Sequence, residues 1–276
     1  MSEPSPAPQS DLTTRFAAAV VMIAIACAAI YFGGWAFRLL VAAGAAVMMV
    51  EWGDMHRVKR GWTWVGVALL VAVTLVLPEY LFPAAESDPL EIAAELFDPV
   101  WTGMAAVLAL GVLYGVFSRR LGLGWGFLYI ALPAFALLVL DWAWFELVFW
   151  VMMVTWSTDI FAYFAGRSIG GPKLAPRISP NKTWAGLLGG MAGAALVGGV
   201  AAWFFGIGEP FLYLGAPMGL LAQLGDLYES RVKRRLGVKD SGNLIPGHGG
   251  VLDRVDGLLP VALATLLVLV ASLATA

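Results

Sequence analysis

The chain has 276 residues, of which 60% are hydrophobic and only 13% charged, and its mean hydropathy is +0.81. This composition leaves too little polar surface for a water-soluble domain and favours the lipid bilayer as the solvent. The net charge of −2 gives no support to nucleic-acid binding, which requires a basic surface. The single cysteine, Cys27, excludes a disulfide framework and a cysteine-based metal site.

Apolar runs dominate the chain after a Ser- and Pro-rich segment, residues 1–14, which we expect to be a disordered tail. A helix needs roughly 20 apolar residues to cross the hydrocarbon core. By this criterion the sequence predicts an all-α, polytopic integral membrane protein with about nine transmembrane helices. The predicted spans are 16–32, 35–50, 62–77, 99–117, 123–140, 142–165, 184–205, 211–227 and 257–275.

The distribution of basic residues predicts a cytoplasmic N-terminus. With that orientation and nine spans, Arg38 alone of the 17 lysines and arginines lies on the outer side. The predicted outer loop, residues 78–98, carries acidic residues and no basic residue. We expect residues 15–150 to form a transmembrane scaffold and residues 151–276 to form the functional region, because the connections after Asp159 are long, glycine-rich and ionisable.

The stretch from Gly225 to Gly257 carries the densest set of ionisable residues. Asp226 ends an apolar run, and in a continuing helix Glu229, Ser230 and Lys233 lie on the same face. A carboxylate at membrane depth is costly and is a functional candidate. The alternative is an ordinary solvated helix face.

Asp253 and Asp256 form a second acidic pair, three residues apart, at the start of the last apolar run. Together with Asp226 they offer three hard oxygen ligands at one interface, which suits Mg²⁺ bound also by substrate phosphates. The alternative is that both residues cap the helix and complement its dipole.

A glycine-rich turn that contains His248, Gly249 and Gly250 lies between these carboxylates. Glycines let a backbone approach phosphate oxygens closely, and the placement of His248 favours a ligand contact. Basic residues that could neutralise a polyphosphate surround the turn: Lys233, Arg234, Arg235, Lys239 and Arg254. The alternative for this basic run is the positive-inside rule and attraction to anionic lipid.

A second cluster lies upstream. Asp159 lies within an apolar span, and the connection that follows contains Lys173, Arg177 and Lys182 between prolines that prevent a regular helix. An anionic lipid headgroup is a natural ligand for this basic loop, and a plain juxtamembrane loop is the alternative.

These two clusters resemble the motifs of the phosphatidate cytidylyltransferases. The C-terminal motif matches in order and spacing at Ser230, Lys233, Arg234, Lys239, Asp240, His248, Gly249, Gly250, Asp253, Arg254 and Asp256. The upstream motifs match at Thr158, Asp159, Ala162, Tyr163, Gly166, Arg167, Ser179, Pro180, Lys182, Thr183 and Trp184. Asn181, Ala185, Ala222 and Gln223 depart from the family pattern, and no role is assigned to them.

The resemblance implies a magnesium-dependent transfer of CMP from CTP to phosphatidic acid, which gives CDP-diacylglycerol and pyrophosphate. It also implies an often dimeric enzyme with a second cation such as K⁺. We expect Mg²⁺ to bind Asp226, Asp253 and Asp256, and Lys233, Lys239 and Arg254 to offset the repulsion between two polyanions. Ser230 is expected to orient a phosphate or to complete the metal shell. Arg167 and Lys182 are candidates for the lipid phosphate, and the matching Thr183, Arg234, Asp240, His248, Gly249 and Gly250 are expected to bind substrate.

Two other functions remain open from the sequence. Asp159 inside a span suits an ion-translocating transporter, although the polar loops place most of the ionisable groups at the surface. A related enzyme that activates another lipid phosphate with CTP is also compatible. We expect a bacterial plasma-membrane location with the site on the cytoplasmic side.

Overall fold

The computed structural model describes residues 10–82, 89–242 and 249–274. The helices are α1 (Ser10–Phe32), α2 (Gly34–Met55), α3 (Arg60–Val71), α4 (Leu77–Leu81), α5 (Pro89–Phe117), α6 (Leu121–Ala143), α7 (Phe145–Ser168), α8 (Trp184–Phe205), α9 (Glu209–Tyr213), α10 (Gly215–Leu236), α11 (Leu252–Val255) and α12 (Leu258–Leu273). The strands β1 (Lys173–Ala175) and β2 (Ser179–Thr183) form one antiparallel hairpin. The predicted all-α membrane architecture is confirmed, and α1 begins at Ser10, inside the segment expected to be a disordered tail.

Within the described ranges, six helices are long and apolar enough to cross a membrane. They are 34–55, 60–81, 96–117, 121–143, 145–168 and 184–205. Two shorter apolar helices, Ile23–Phe32 and Leu258–Leu273, coincide with the first and last predicted spans. Helix α10 covers the predicted span 211–227, but it continues into a charged segment as far as Leu236. The count of nine spans stays a prediction.

Helix α6 forms the centre of the bundle and contacts α2, α5, α7 and α12. Its Phe127, Ile130, Phe135 and Leu140 are fully buried. Large apolar side chains cover the outer surface of the bundle instead of polar ones, and Trp203 is 77% exposed. Such a surface is suited to hydrocarbon and not to water.

The span 60–81 contains a π-helical turn at Ala72–Val76, between α3 and α4. Pro78 lies two residues after this turn and has no N–H to donate to the carbonyl of Thr74, so the regular hydrogen-bond ladder cannot continue. The hydroxyl of Thr74 donates to the carbonyl of Leu70 at 2.8 Å within this turn.

Small residues bring α7 and α8 together. A Cβ atom at Gly190 would lie 2.9 Å from the carbonyl oxygen of Thr158, and one at Gly193 would lie 2.3 Å from Cγ of Phe161. Close approach through small residues is a common way for helices to pack in a membrane. This contact holds the polar end of α7 beside the hairpin that precedes α8.

Candidate active site

A cleft of about 560 Å³ lies between α7, β2, α8 and α10. Its polar lining comes from Asp159, Tyr163, Arg167, Asn181, Lys182, Thr183, Gln223 and Asp226. The fold therefore brings the upstream cluster and the start of the C-terminal motif to one place, although an entire helix separates them along the chain.

Lys182 makes the link between the two motifs. It lies on β2, and its ammonium group is 2.5 Å from Oδ2 of Asp226 and 2.8 Å from Oε1 of Gln223. Gln223 is buried and lies one helical turn before Asp226 on α10. Gln223 thus positions Lys182, a role that the sequence analysis left unassigned.

Asp256 lies near Asp226 because α10 packs, at Gly225, against the backbone of Asp256 and against Pro260 of α12. A Cβ atom on Gly225 would lie 2.4 Å from the carbonyl oxygen of Asp256 and 2.8 Å from Cγ of Pro260. Burial and the nearby charge of Asp226 raise the pKa of Asp256 to about 7. Ser230, one turn after Asp226, donates its hydroxyl to Oδ1 of Asp226 at 3.2 Å.

Asp253 has a different environment from the other two aspartates. Its Oδ1 lies 2.5 Å from the ammonium of Lys233, and its Oδ2 accepts the backbone N–H groups of Ser241 and Gly250 at 2.9 Å each. Burial alone would raise the pKa of Asp253, but these three donors outweigh it and hold the pKa below its usual range. Asp253 therefore organises the loop backbone around itself.

Lys233 is also paired with Glu229, 2.6 Å away on the same helix face, and Glu229 is buried. Burial raises the pKa of Glu229 to about 9, despite the opposing hydrogen bond from Lys233. The predicted stripe on α10 is therefore not an ordinary solvated face, because its Glu229 and Lys233 point into the protein.

The predicted glycine-rich turn is described only from Gly249 onward, and His248 lies outside the described residues. Gly249 has φ +80°, which favours glycine, and a Cβ there would lie 2.8 Å from Oδ2 of Asp253. A Cβ on Gly250 would lie 2.1 Å from the hydroxyl of Ser241. The N–H of Gly250 is directed at Asp253, so this glycine serves the folding of the loop rather than offering that N–H to a phosphate.

The structure groups the predicted metal ligands only in part. Among residues 10–82, 89–242 and 249–274, no three His, Cys, Asp or Glu side chains are clustered so that they could hold a metal ion. Asp226 and Asp256 are close enough to interact through their charges, whereas Asp253 is directed at Lys233. Two neighbouring carboxylates nevertheless fit Mg²⁺, which usually takes one or two carboxylates, substrate phosphates and water.

The remaining predicted residues take several positions. Thr183 is buried and caps α8, its Oγ1 accepting the N–H of Gly186 at 3.0 Å. Arg167 lines the cleft and lies 3.4 Å from the hydroxyl of Tyr163. Arg234 is exposed and donates to the carbonyl of Ile178 in the hairpin at 3.5 Å.

Arg254 interacts electrostatically with Asp159, one of the residues that line the cleft. Asp159 also interacts in this way with Lys182 and Asp226. Lys239 and Asp240 are exposed after the end of α10. Their side chains are available to a ligand that approaches from the polar side.

Sequence reasoning missed Glu51, a buried carboxylate of α2 that contacts the loop around Gly250. The predicted span ended at residue 50, one position before it. An acidic residue at the end of an apolar run was the available signal.

The sequence model of the cytidylyltransferase family matches residues 13–272, nearly the whole chain. The chain belongs to the cytidylyltransferase family. The match includes both the hairpin and the C-terminal motif that line the cleft.

Individual members of the cytidylyltransferase family are similar over most of their length. A protein named phosphatidate cytidylyltransferase from Brucella abortus is 37% identical, and the alignment covers 92% of this chain and 91% of the relative. One of the same name from Pseudomonas aeruginosa is 37% identical, with coverage of 92% of this chain and 97% of the relative. A third from Synechocystis is 35% identical, with coverage of 88% of this chain and 92% of the relative.

Proposed function

We propose that the protein transfers CMP from CTP to phosphatidic acid and so makes CDP-diacylglycerol and pyrophosphate for phospholipid biosynthesis. The observation that carries this proposal is the 2.5 Å contact of Lys182 with Asp226, which unites both sequence motifs in one cleft. The name shared by the relatives supports the same reaction.

The reaction needs little proton chemistry from the protein. A phosphate oxygen of phosphatidic acid, already anionic, forms a new bond to the α-phosphorus of CTP. The bond between that phosphorus and the bridging oxygen breaks, and pyrophosphate leaves with the electron pair. The main barrier is the repulsion between two polyanions, so the protein contributes positioning and positive charge.

Lys182 and Arg167 hold the phosphate of the lipid in this proposal. Both side chains line the cleft, and Asp226 and Gln223 hold the ammonium of Lys182. Arg254, which interacts electrostatically with Asp159 of the cleft, and the exposed Lys239 attract the triphosphate. Lys233 stays with Asp253 and Glu229 and keeps α10 joined to α11.

Asp226 and Asp256 are the residues that would hold Mg²⁺, with the hydroxyl of Ser230 keeping Asp226 in place. When bound, the metal polarises the α-phosphoryl group and screens the charge of the leaving pyrophosphate. A second cation such as K⁺ and assembly as a homodimer belong to the proposal through the family resemblance alone.

The position of the cleft lets phosphatidic acid react without leaving the bilayer. Exposed apolar side chains lie beside the cleft-lining residues, with Phe164 next to Tyr163 and Leu188 next to Leu187. Acyl chains can therefore remain in hydrocarbon while the headgroup reaches Lys182.

The site faces the cytoplasm of a bacterial plasma membrane in this proposal, which rests on the positive-inside distribution. The exception to that distribution, Arg38, forms an ion pair with Glu79 of the predicted outer side, which supports the assignment.

Arg57→Cys and Tyr80→Cys, each introduced into a Cys27→Ser protein, test the orientation. An impermeant maleimide applied to spheroplasts should label Tyr80→Cys and leave Arg57→Cys unlabelled; the reverse pattern would refute the orientation.

The reaction is tested with purified protein in mixed micelles, labelled CTP and phosphatidic acid. We expect labelled CDP-diacylglycerol and an equal amount of pyrophosphate, both dependent on Mg²⁺. If product forms only with a different lipid phosphate, phosphatidic acid is not the substrate. If proteoliposomes show ion flux and no CTP-dependent product forms, the protein is a transporter and not this enzyme.

A further inference from the structure

Glu51 lies in the scaffold half of the chain, near the end of α2, and only 5% of it is exposed. Its Oε1 accepts the N–H of Val251 at 2.8 Å, and its Oε2 accepts the N–H of Leu252 at 2.9 Å. The hydroxyl of Ser241 donates to the same Oε2 at 3.1 Å. A single carboxylate thus accepts three hydrogen bonds from both sides of the loop in the C-terminal motif.

The loop is packed closely around this carboxylate. A Cβ atom on Gly242 would lie 2.8 Å from Oε1 of Glu51, and one on Gly250 would lie 2.7 Å from the same oxygen. Gly242 follows Ser241 and Gly250 precedes Val251, and both Ser241 and Val251 donate hydrogen bonds to Glu51. The close approach of Glu51 therefore explains why both positions are glycine.

Asp253 binds the same loop from the other side. It accepts the backbone N–H groups of Ser241 and Gly250, and Ser241 also donates its hydroxyl to Glu51. The two carboxylates together fix residues 241–242 and 249–252. Helix α11 follows at once and carries Asp253 and Arg254, and Asp256 comes directly after it.

We infer that Glu51 is a positioning residue, which sets the backbone of this loop and thereby the placement of α11 and Asp256 against the cleft. The inference rests on the proposed function and extends it, because it assigns a role in the reaction to the scaffold half. Glu51 touches backbone and Ser241, and it acts on substrate only through the loop.

Glu51→Gln is the sharpest variant because it keeps the shape of the side chain. The carboxamide has one acceptor oxygen, so its NH₂ group would face one of two backbone N–H donors. An unsatisfied buried donor displaces the loop, and we expect kcat/KM for CTP to fall by about tenfold to a hundredfold. The KM for phosphatidic acid should stay within about twofold, since Lys182 and Arg167 lie on other elements.

Asp54→Asn is the matched control. Asp54 lies one turn further along α2, its side chain is 54% exposed, and its ion pair with Arg60 is long at 3.9 Å. We expect both kinetic constants of this variant to match those of the wild type. Ser241→Ala is the second variant, with an expected loss of about threefold for CTP from one missing hydrogen bond. The double variant Glu51→Gln/Ser241→Ala should be no worse than Glu51→Gln, because the two groups share one interaction.

The outcomes separate the inference from the proposed function. A wild-type protein that forms no CDP-diacylglycerol refutes the function itself. An active wild type with an equally active Glu51→Gln refutes the positioning role alone. An apparent kcat that falls in proportion to the folded fraction in a thermal-unfolding assay, with both KM values and the activity per folded molecule unchanged, also refutes it and assigns Glu51 to stability. If Glu51→Gln does not fold, Ser241→Ala decides, and unchanged CTP kinetics in that variant overturns the inference.

Discussion

The backbone of Asp256 packs against Gly225, the neighbour of Asp226, whose missing side chain leaves the carbonyl oxygen of Asp256 in direct contact with α10. The two carboxylates come from different ends of the C-terminal motif, and the burial of Asp256 makes their charges costly unless cations such as the ammonium of Lys182 lie nearby. Asp253, which the sequence placed in the same trio, is held instead by Lys233 and two backbone N–H groups.

Gly225→Ala should separate the two carboxylates. Its Cβ would lie 2.4 Å from a backbone oxygen that cannot rotate away, so α10 must shift from the start of α12. We expect the turnover of CTP to fall at least about tenfold, since small displacements are costly in catalysis. Gly61→Ala is the control: nothing lies within 4 Å of its Cβ, and helix propensity should leave its midpoint of thermal unfolding equal or raised. Full activity of Gly225→Ala would show that the close contact is not needed.

Asp226→Asn and Asp256→Asn should each raise the Mg²⁺ concentration needed for half-maximal rate by about tenfold or more, because each removes a charged oxygen ligand. The measurement is initial rate against free Mg²⁺ at saturating CTP. Glu79→Gln, at the opposite end of the bundle, is the control for a general loss of carboxylate charge. A Mg²⁺ dependence identical to that of the wild type in both variants would exclude these two aspartates as ligands.

Asp253→Asn should act mainly on stability. Lys233 would lose one of its two carboxylate partners in a site where its side chain is only 12% exposed, and we expect a loss of about 1–3 kcal/mol. Thermal unfolding in detergent measures this loss. Adding Lys233→Met should restore part of it, since a buried ammonium that keeps only Glu229 as a partner is then removed. If the variant is as stable as the wild type and only its Mg²⁺ dependence changes, Asp253 is a metal ligand, as the sequence predicted.

Lys182→Met should remove the positive charge at the junction of the two motifs while it keeps the apolar stem. We expect a loss of about a hundredfold in kcat/KM for phosphatidic acid, as is typical when one preorganised electrostatic contact is lost. Lys59→Met, at an exposed position before α3, serves as the matched control and should retain full activity. An equal effect of the two substitutions would mean that Lys182 acts only through the general surface charge.

Hydropathy alone located the membrane-spanning elements well, because the cost of unpaired backbone groups in hydrocarbon leaves few alternatives to helices. The resemblance to a family identified the upstream cluster and the C-terminal motif, but the contact between them through Lys182 and Asp226 was seen only in the structure. The actual partner of Asp253 could not be predicted, since it depends on the path of the loop between Ser241 and Gly250. Gln223 had no sequence signal of its own, and its role became visible only when Lys182 was seen to reach across to α10.

The hydrogen bonds of Glu51 also bear on how the protein is made. Its partners Ser241, Val251 and Leu252 lie 190 to 201 residues further along the chain, so they leave the ribosome long after α2 does. During synthesis the carboxylate of Glu51 therefore stays without these three donors until the C-terminal motif has been made. The final arrangement at the end of α2 is thus reached only when the last part of the chain is in place.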